Sequence, residues 1–320
     1  MIGITMGDGN GVGPEIILKA VRDGKIQGDY VVLGDFSVMD YCNGKLGYRV
    51  PLKGIKNLSE RQSDFLNVLD EGLLTKEDIT PGRISEKVAA ASRAYVVRAT
   101  KMCLDGSLSA MTTLPVNKEA IRLSDPGFTG HTELIAELCR QDSYTMMLAS
   151  EKLTVTHVST HVSLEDAIRS VKKDRILDVI ELTHNALSRF IKEPRIAVAG
   201  LNPHAGEGGA FGTQEKDEIR PAVEEAVARG LLCTGPVAPD TVFLKAARGG
   251  FDAVVCMYHD QGHIPMKLLD FDGGVNVSLG LEAVRTSVDH GTAFDIAYQG
   301  KAADQSFVAA YNYALKIQRT

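Results

Sequence analysis

The sequence predicts an α/β protein of two lobes, and three observations predict it. Short apolar runs rich in Val, Ile and Ala alternate with segments of helical period. Most of these runs end in turn residues that lead into a helix start, the pattern of βα units. The length of 320 residues suits two domains.

Ile2–Met6 reads as a buried strand, followed by Gly7-Asp8-Gly9-Asn10-Gly11-Val12-Gly13 and a helix start at Pro14-Glu15. These glycines fit neither the dinucleotide fingerprint nor the P-loop, leaving a tight turn or a loop bordering a ligand cleft. Tyr30–Leu33 is a second strand, whereas residues 41–83 show little periodicity. Ser85 caps a helix with Val88, Tyr95, Val96, Ala99 and Met102 on one face, and Gly106 ends it. Leu108–Leu114 gives a strand, after which Asn117 suits an N-cap and Lys118 a surface position. Phe128-Thr129-Gly130-His131-Thr132 opens the next helix with Thr132 as its N-cap; such a start also offers N–H donors to an anion.

Leu153–Val158 is a strand, and His161 lies between its end and a capping box at Ser163 and Asp166. A helix with the stripe Ile176, Val179, Ile180, Leu187 follows, His184 being structural within it. Arg195–Gly200 is a strand, with His204 just past its end in a glycine-rich loop. Pro239-Asp240-Thr241 starts a short helix, and Phe251–Met257 is a further strand. It leads into Tyr258-His259-Asp260-Gln261-Gly262-His263-Ile264-Pro265-Met266-Lys267, where Gly262 and Pro265 favour a loop over a helix. Gly273–Ser278 contains a strand, and Phe307, Tyr311, Ala314 and Leu315 mark a last helix packed on the N-terminal lobe.

A net charge of −6 gives no electrostatic footprint for nucleic acid or an anionic membrane. Five scattered cysteines without a C-x-x-C pair suggest reduced thiols and a cytoplasmic protein. Neither a signal peptide nor a stretch long enough to span a membrane is visible.

His161, His204 and His259 each follow a strand. Parallel strands in one sheet bring such ends to one edge, where open α/β folds bind ligands. Each histidine taken singly also suits a hydrogen-bonded structural role. Three neutral imidazoles there would suit Zn²⁺, Co²⁺ or Ni²⁺ with positions open for substrate. Lys267, Arg285, His131 and Thr132 are candidate anion holders. This set permits metal-polarised hydroxyl or carbonyl chemistry on a phosphorylated or carboxylated small molecule.

Gly200-Leu201-Asn202-Pro203-His204-Ala205-Gly206-Glu207-Gly208-Gly209, Met257-Tyr258-His259-Asp260-Gln261-Gly262 and Arg285-Thr286-Ser287-Val288-Asp289-His290-Gly291-Thr292 resemble the 4-hydroxythreonine-4-phosphate dehydrogenase family of vitamin B6 synthesis. The resemblance runs from Ile4 to the last helix, with a departure at Gly9-Asn10, where the family usually has Pro-Ala. It implies two α/β/α lobes like those of isocitrate and isopropylmalate dehydrogenases, with the active site in the cleft. Residues 1–125 and 270–320 would form the first lobe and 126–269 the second, carrying the metal ligands and the dimer interface. It implies a homodimer, metal ligation by His161, His204 and His259 (Zn, Co, Mg, Mn or Ni), and substrate contacts from His131, Thr132, Lys267, Asn276 and Arg285. Residues 290–296 resemble the adenosine loop of isopropylmalate dehydrogenases, implying NAD contacts from His290, Gly291, Thr292 and Asp295. The implied reaction oxidises a phosphorylated hydroxy acid and decarboxylates the product, Lys267 donating a proton or holding a carboxylate. His263-Ile264-Pro265, where the B6 branch usually carries Leu-Pro-Val, is closer to the branch that converts D-threonate or D-erythronate 4-phosphate to dihydroxyacetone phosphate. The alternatives are the B6 enzyme and, remotely, a non-catalytic metal or ligand binding protein.

Overall fold

Strands buried on both faces require helices on both faces, and the computed structural model of the chain, describing residues 1–271 and 273–318, is built this way. Among the described residues, two units each carry six strands. The first comprises Met1–Asp142 and Leu281–Thr320, the second Ser143–Gly280.

In chain order the first unit contains β1 (Ile2–Thr5), α1 (Gly13–Arg22), β2 (Tyr30–Gly34), α2 (Phe36–Leu46), β3 (Leu52–Ile55), β4 (Leu66–Asp70), α3 (Glu86–Leu104), β5 (Ala110–Thr113), α4 (Lys118–Ser124) and α5 (His131–Cys139). The second unit follows with β6 (Thr145–Ala149), β7 (Thr154–His157), α6 (Leu164–Arg169), α7 (Lys173–Leu187), β8 (Ile196–Ala199), α8 (Arg220–Ala228), β9 (Cys233–Val237), α9 (Pro239–Ala247), β10 (Ala253–Cys256), α10 (His259–Leu269) and β11 (Val275–Leu279). The chain returns to the first unit for β12 (Arg285–Ser287) and α11 (Gln305–Ile317). α11 packs on β5, β12 and α1, as its stripe leads one to expect.

The first unit's strands run β3-β4-β2-β1-β5-β12, all parallel. The second unit's run β11-β6-β7-β10-β8-β9, antiparallel from β11 to β7 and parallel from β7 to β9. Strand alternation sorts the second unit's core in two. Ile196, Val198 and Val255 pack with Ile176, Val179 and Ile180 of α7 and Val223 of α8. Ala197, Ala199, Val254 and Cys256 face Val242 of α9 and Met266 of α10.

The division between units differs from the expected lobe boundaries. Residues 126–142 belong to the first unit because α5 packs on α3, and 270–280 to the second because β11 pairs with β6. The weakly periodic stretch 41–83 holds most of α2 along with β3 and β4. β3 is the edge strand of its run, and only Ile55 of its four residues is buried, so its pattern is diluted.

The glycine loop after β1 serves as a buried turn. Gly7 has φ 75°, and a side chain there would meet the Pro115 carbonyl at 2.5 Å. Asn10 donates to Thr80 Oγ1 and the Arg83 carbonyl and accepts from the Thr80 amide. The Tyr298 hydroxyl donates to the Gly9 carbonyl, and the Val12 amide to the Thr292 carbonyl. The loop therefore ties 80–83 and 292–298 to the end of β1.

Candidate functional site

In the first unit the basic candidates gather at one end of β5 and β12. Arg285 opens β12 and is paired in register with Met111 of β5. Its guanidinium is buried, donating to Thr113 Oγ1 from Nε (3.1 Å) and Nη2 (3.0 Å), and to Thr132 Oγ1 from Nη1 (3.1 Å). Burial lowers its pKa to about 10, Glu133 opposing, so it stays charged at neutral pH.

α5 begins at His131 with Gly130 as N-cap and no side-chain cap. Thr132, expected as the cap, is instead the second helical residue; its hydroxyl serves Arg285, leaving the first-turn amides uncapped by any side chain. A Cβ on Gly130 would lie 3.2 Å from Lys118 Nζ and 2.6 Å from Glu133 Oε2, so both side-chain ends come close to the helix start. His131 Nε2 is enclosed without a hydrogen-bond partner among the described residues. Burial foremost, then Arg285 and Lys118, holds its imidazole well below the usual range, hence neutral. A charged guanidinium, two hydroxyls, a neutral imidazole, a lysine and a helix N-terminus form a donor set for a phosphate or carboxylate. Asn117 is the expected N-cap of α4, its Oδ1 accepting from the Ala120 amide at 2.9 Å.

In the second unit β7, β10 and β8 are adjacent and parallel, so the residues following them do share one edge. The stretch expected as a loop is the helix α10, despite Gly262 and Pro265. Two contacts explain the override. Gln261 clamps the helix start to the strand ends, accepting from the Met257 amide and donating to the Gly200 carbonyl, both at 2.7 Å. Gly262 permits close packing: a Cβ there would lie 2.7 Å from His157 Nε2 and 2.9 Å from Cys256 Sγ.

Helicity puts His259 and His263 four residues apart on one face, their rings stacked at 3.6 Å and 12°. The His161 ring lies 5.4 Å from that of His259, and the buried His157 lies 4.8 Å from His263. His259 Nδ1 is 2.7 Å from Asp260 Oδ1, which requires the proton on Nδ1 and leaves Nε2 as a lone-pair donor. Burial lowers the pKa of His157 to about 3 and that of His263 to about 4.

His204 lies in an exposed turn after β8, with φ positive from His204 through Gly208, and among the described residues no ring contact joins it to His161 or His259. Glu215 anchors this turn, its carboxylate accepting from the Leu201 and Asn202 amides and from Asn202 Nδ2. Among the described residues no three His, Cys, Asp or Glu side chains form a preassembled metal shell. The donor chemistry nevertheless fits a borderline cation, with two imidazoles adjacent and His259 Nε2 presented. Lys267 Nζ lies 5.1 Å from the Phe271 ring. Asn276 Nδ2 lies 3.1 Å from Met146 Sδ, and its Oδ1 is buried without a hydrogen-bond partner among the described residues.

His290, Gly291 and Asp295 are exposed and Thr292 is half-buried, and nothing lies within 4 Å of a Cβ placed on Gly291. Space beside Gly291 and an exposed carboxylate suit a nucleotide's ribose hydroxyls. Sequence reasoning missed Thr113, His157, Glu215 and Gln261. Their signals were weak: a hydroxyl and an imidazole ending apolar strands, and two polar residues in helices.

The family model described as "Pyridoxal phosphate biosynthetic protein PdxA" matches residues 27–314. The D-threonate 4-phosphate dehydrogenase of Salmonella typhimurium is 42% identical over 99% of this chain and 98% of its own length. The 4-hydroxythreonine-4-phosphate dehydrogenase of Geobacter metallireducens is 43% identical over 99% and 95%. The crystal structure of 4-hydroxythreonine-4-phosphate dehydrogenase from Klebsiella pneumoniae matches with a TM-score of 0.91 at 42% identity, covering 99% of both chains. The chain belongs to the PdxA family of dehydrogenases.

Proposed function

We propose that the chain oxidises a 4-phosphorylated hydroxy acid, D-threonate 4-phosphate or D-erythronate 4-phosphate, using NAD⁺ and a divalent metal, with loss of CO₂ to give dihydroxyacetone phosphate. The observation that carries this reading is the adjacency of the His161 and His259 rings, with His259 Nε2 set as a lone-pair donor by Asp260. His161, His259 and, from the neighbouring strand end, His204 would hold the metal. When bound, a divalent cation lowers the pKa of a coordinated hydroxyl and offsets negative charge on oxygen as CO₂ departs. His290, Gly291, Thr292 and Asp295 would hold NAD⁺, which when bound would supply the hydride acceptor for the carbon bearing that hydroxyl.

The chain's own groups bind and orient. Arg285, Thr132 and His131 hold the phosphate or carboxylate, with the charge-assisted bonds from Arg285 fixing its direction. Lys267 delivers a proton to the carbon that loses CO₂, and Asn276 Oδ1 accepts from a substrate hydroxyl. Ile264 and Leu268, four residues apart on α10, and Phe271 just past its end are 57%, 82% and 71% exposed, apolar surface that suits a second copy of this chain as a homodimer partner.

NADH formation from D-threonate 4-phosphate, D-erythronate 4-phosphate and 4-hydroxythreonine 4-phosphate tests the substrate. Turnover of either sugar-acid phosphate with release of dihydroxyacetone phosphate is expected. Turnover of the amino substrate alone would assign the chain to vitamin B6 synthesis.

A further inference from the structure

Besides His184 within α7, the second unit holds two imidazoles with no part in the proposed reaction, His157 at the end of β7 and His263 on α10. Their tautomers follow from two backbone carbonyls. His157 Nδ1 lies 3.2 Å from the Met146 carbonyl oxygen, which can only accept, so Nδ1 carries the proton and Nε2 is a lone pair. His263 Nδ1 lies 3.2 Å from that His157 Nε2 and 3.2 Å from the His259 carbonyl. Both are acceptors, so His263 Nδ1 must also carry a proton. A directed chain results, in which His263 donates to His157 and His157 donates to Met146. Each link fixes the next ring's orientation.

The end of this chain is a stacked pair. The His263 ring lies parallel to the His259 ring, with centroids 3.6 Å apart and planes 12° apart. A metal lies in the plane of an imidazole that binds it. Two parallel rings at this separation cannot both direct a lone pair to one ion, which keeps His263 out of the shell that His259 joins. Two other contacts confine the arrangement. Gly262 lets α10 approach His157 so closely that any side chain there would reach its Nε2. Asp260 holds His259 from the opposite ring nitrogen.

We infer that His157 and His263 are positioning residues that fix the ring plane of the metal ligand His259, through a hydrogen-bond chain anchored on the Met146 carbonyl and ending in the stacked pair. This rests on the metal reading above. His263 thereby acquires a physical role without touching metal or substrate. His259, pinned by Asp260 at one nitrogen and by the stack on one face, presents Nε2 in a single direction. Partners of this kind, one step removed from the metal, commonly contribute about 10- to 100-fold in affinity.

Co²⁺ titration of the full chain, followed by calorimetry and by the visible d–d spectrum, tests the inference without turnover. His263→Ala removes the stack and the link to His157, whereas His157→Phe keeps a ring of similar size but removes both the Nε2 acceptor and the bond to the Met146 carbonyl. Both variants are expected to bind Co²⁺ about 10- to 100-fold more weakly with an altered d–d band, at circular dichroism like the wild type's. His157→Gln, which returns an acceptor near the Nε2 position, is expected to recover most of the affinity. A folded His263→Ala protein with wild-type affinity and spectrum overturns the inference while leaving the metal reading intact. A wild-type protein that binds no Co²⁺ overturns the metal reading and this inference with it. If His157→Phe does not fold, His263→Ala, at a half-buried position, carries the test alone.

Discussion

Arg285 is fully enclosed yet charged, and a buried charge persists only where its hydrogen bonds and a counter-charge hold it. Thr113 and Thr132 take its bonds and Glu133 supplies a counter-charge. Lysine cannot reproduce the forked contact with both threonines. Arg285→Lys is expected to lower kcat/KM by roughly 10- to 100-fold, as about 1.5–3 kcal/mol of charge-assisted bonding implies. Steady-state kinetics check this, and the loss should fall mainly in KM. Asp8 behaves differently. Burial raises its carboxyl pKa to about 6 against a weaker pull from the Asn10 amide. A folded-state pKa above the unfolded value of 3.8 means the folded chain holds the extra proton between those values. Stability from this group is therefore full below about pH 4 and declines as pH rises through about 6. Asp8→Asn removes that decline, so its melting temperature should gain on the wild type between pH 4 and pH 7. The difference approaches about 3 kcal/mol, less the altered bond to Asn10. A constant offset across the series would contradict this.

At the scale of elements, α10 decides what the second unit can do. Its sequence argued against a helix, because glycine and proline dominate local propensity. The tertiary clamp by Gln261 and the close approach at Gly262 override that preference, and neither is visible in one dimension. Gly262→Ala would push a methyl group into His157 Nε2 and Cys256 Sγ. It is expected to destabilise the fold by about 1–3 kcal/mol, read from urea unfolding, and unchanged stability would refute the close packing. Parallel β7, β10 and β8 were legible because apolar runs buried on both faces survive in sequence, as was the placement of His161, His204 and His259 after them. The grouping was not legible. The structure sets His161 beside His259, adds His157 and His263, and leaves His204 in a separate turn. Ring orientation depends on packing across elements, which spacing does not encode.

For the whole molecule, the α/β class follows from the alternation of βα patterns, and the likeness to PdxA structures at a TM-score of 0.91 agrees with it. The unit boundaries were displaced because α5 attaches by packing on α3 and β11 by pairing with β6, neither of which composition reveals. The exposed Ile264, Leu268 and Phe271 belong to this scale too. For the proposed homodimer, Leu268→Glu is expected to lower the sedimentation coefficient to that of a monomer in analytical ultracentrifugation, since a charge in an apolar contact disfavours association. An unchanged coefficient would exclude this surface from the proposed contact. Metal-dependent oxidation is tested by NADH formation from D-threonate 4-phosphate before and after chelation. Activity should vanish with EDTA and return with added Zn²⁺ or Co²⁺, whereas turnover indifferent to the chelator would rule out a metal in the reaction.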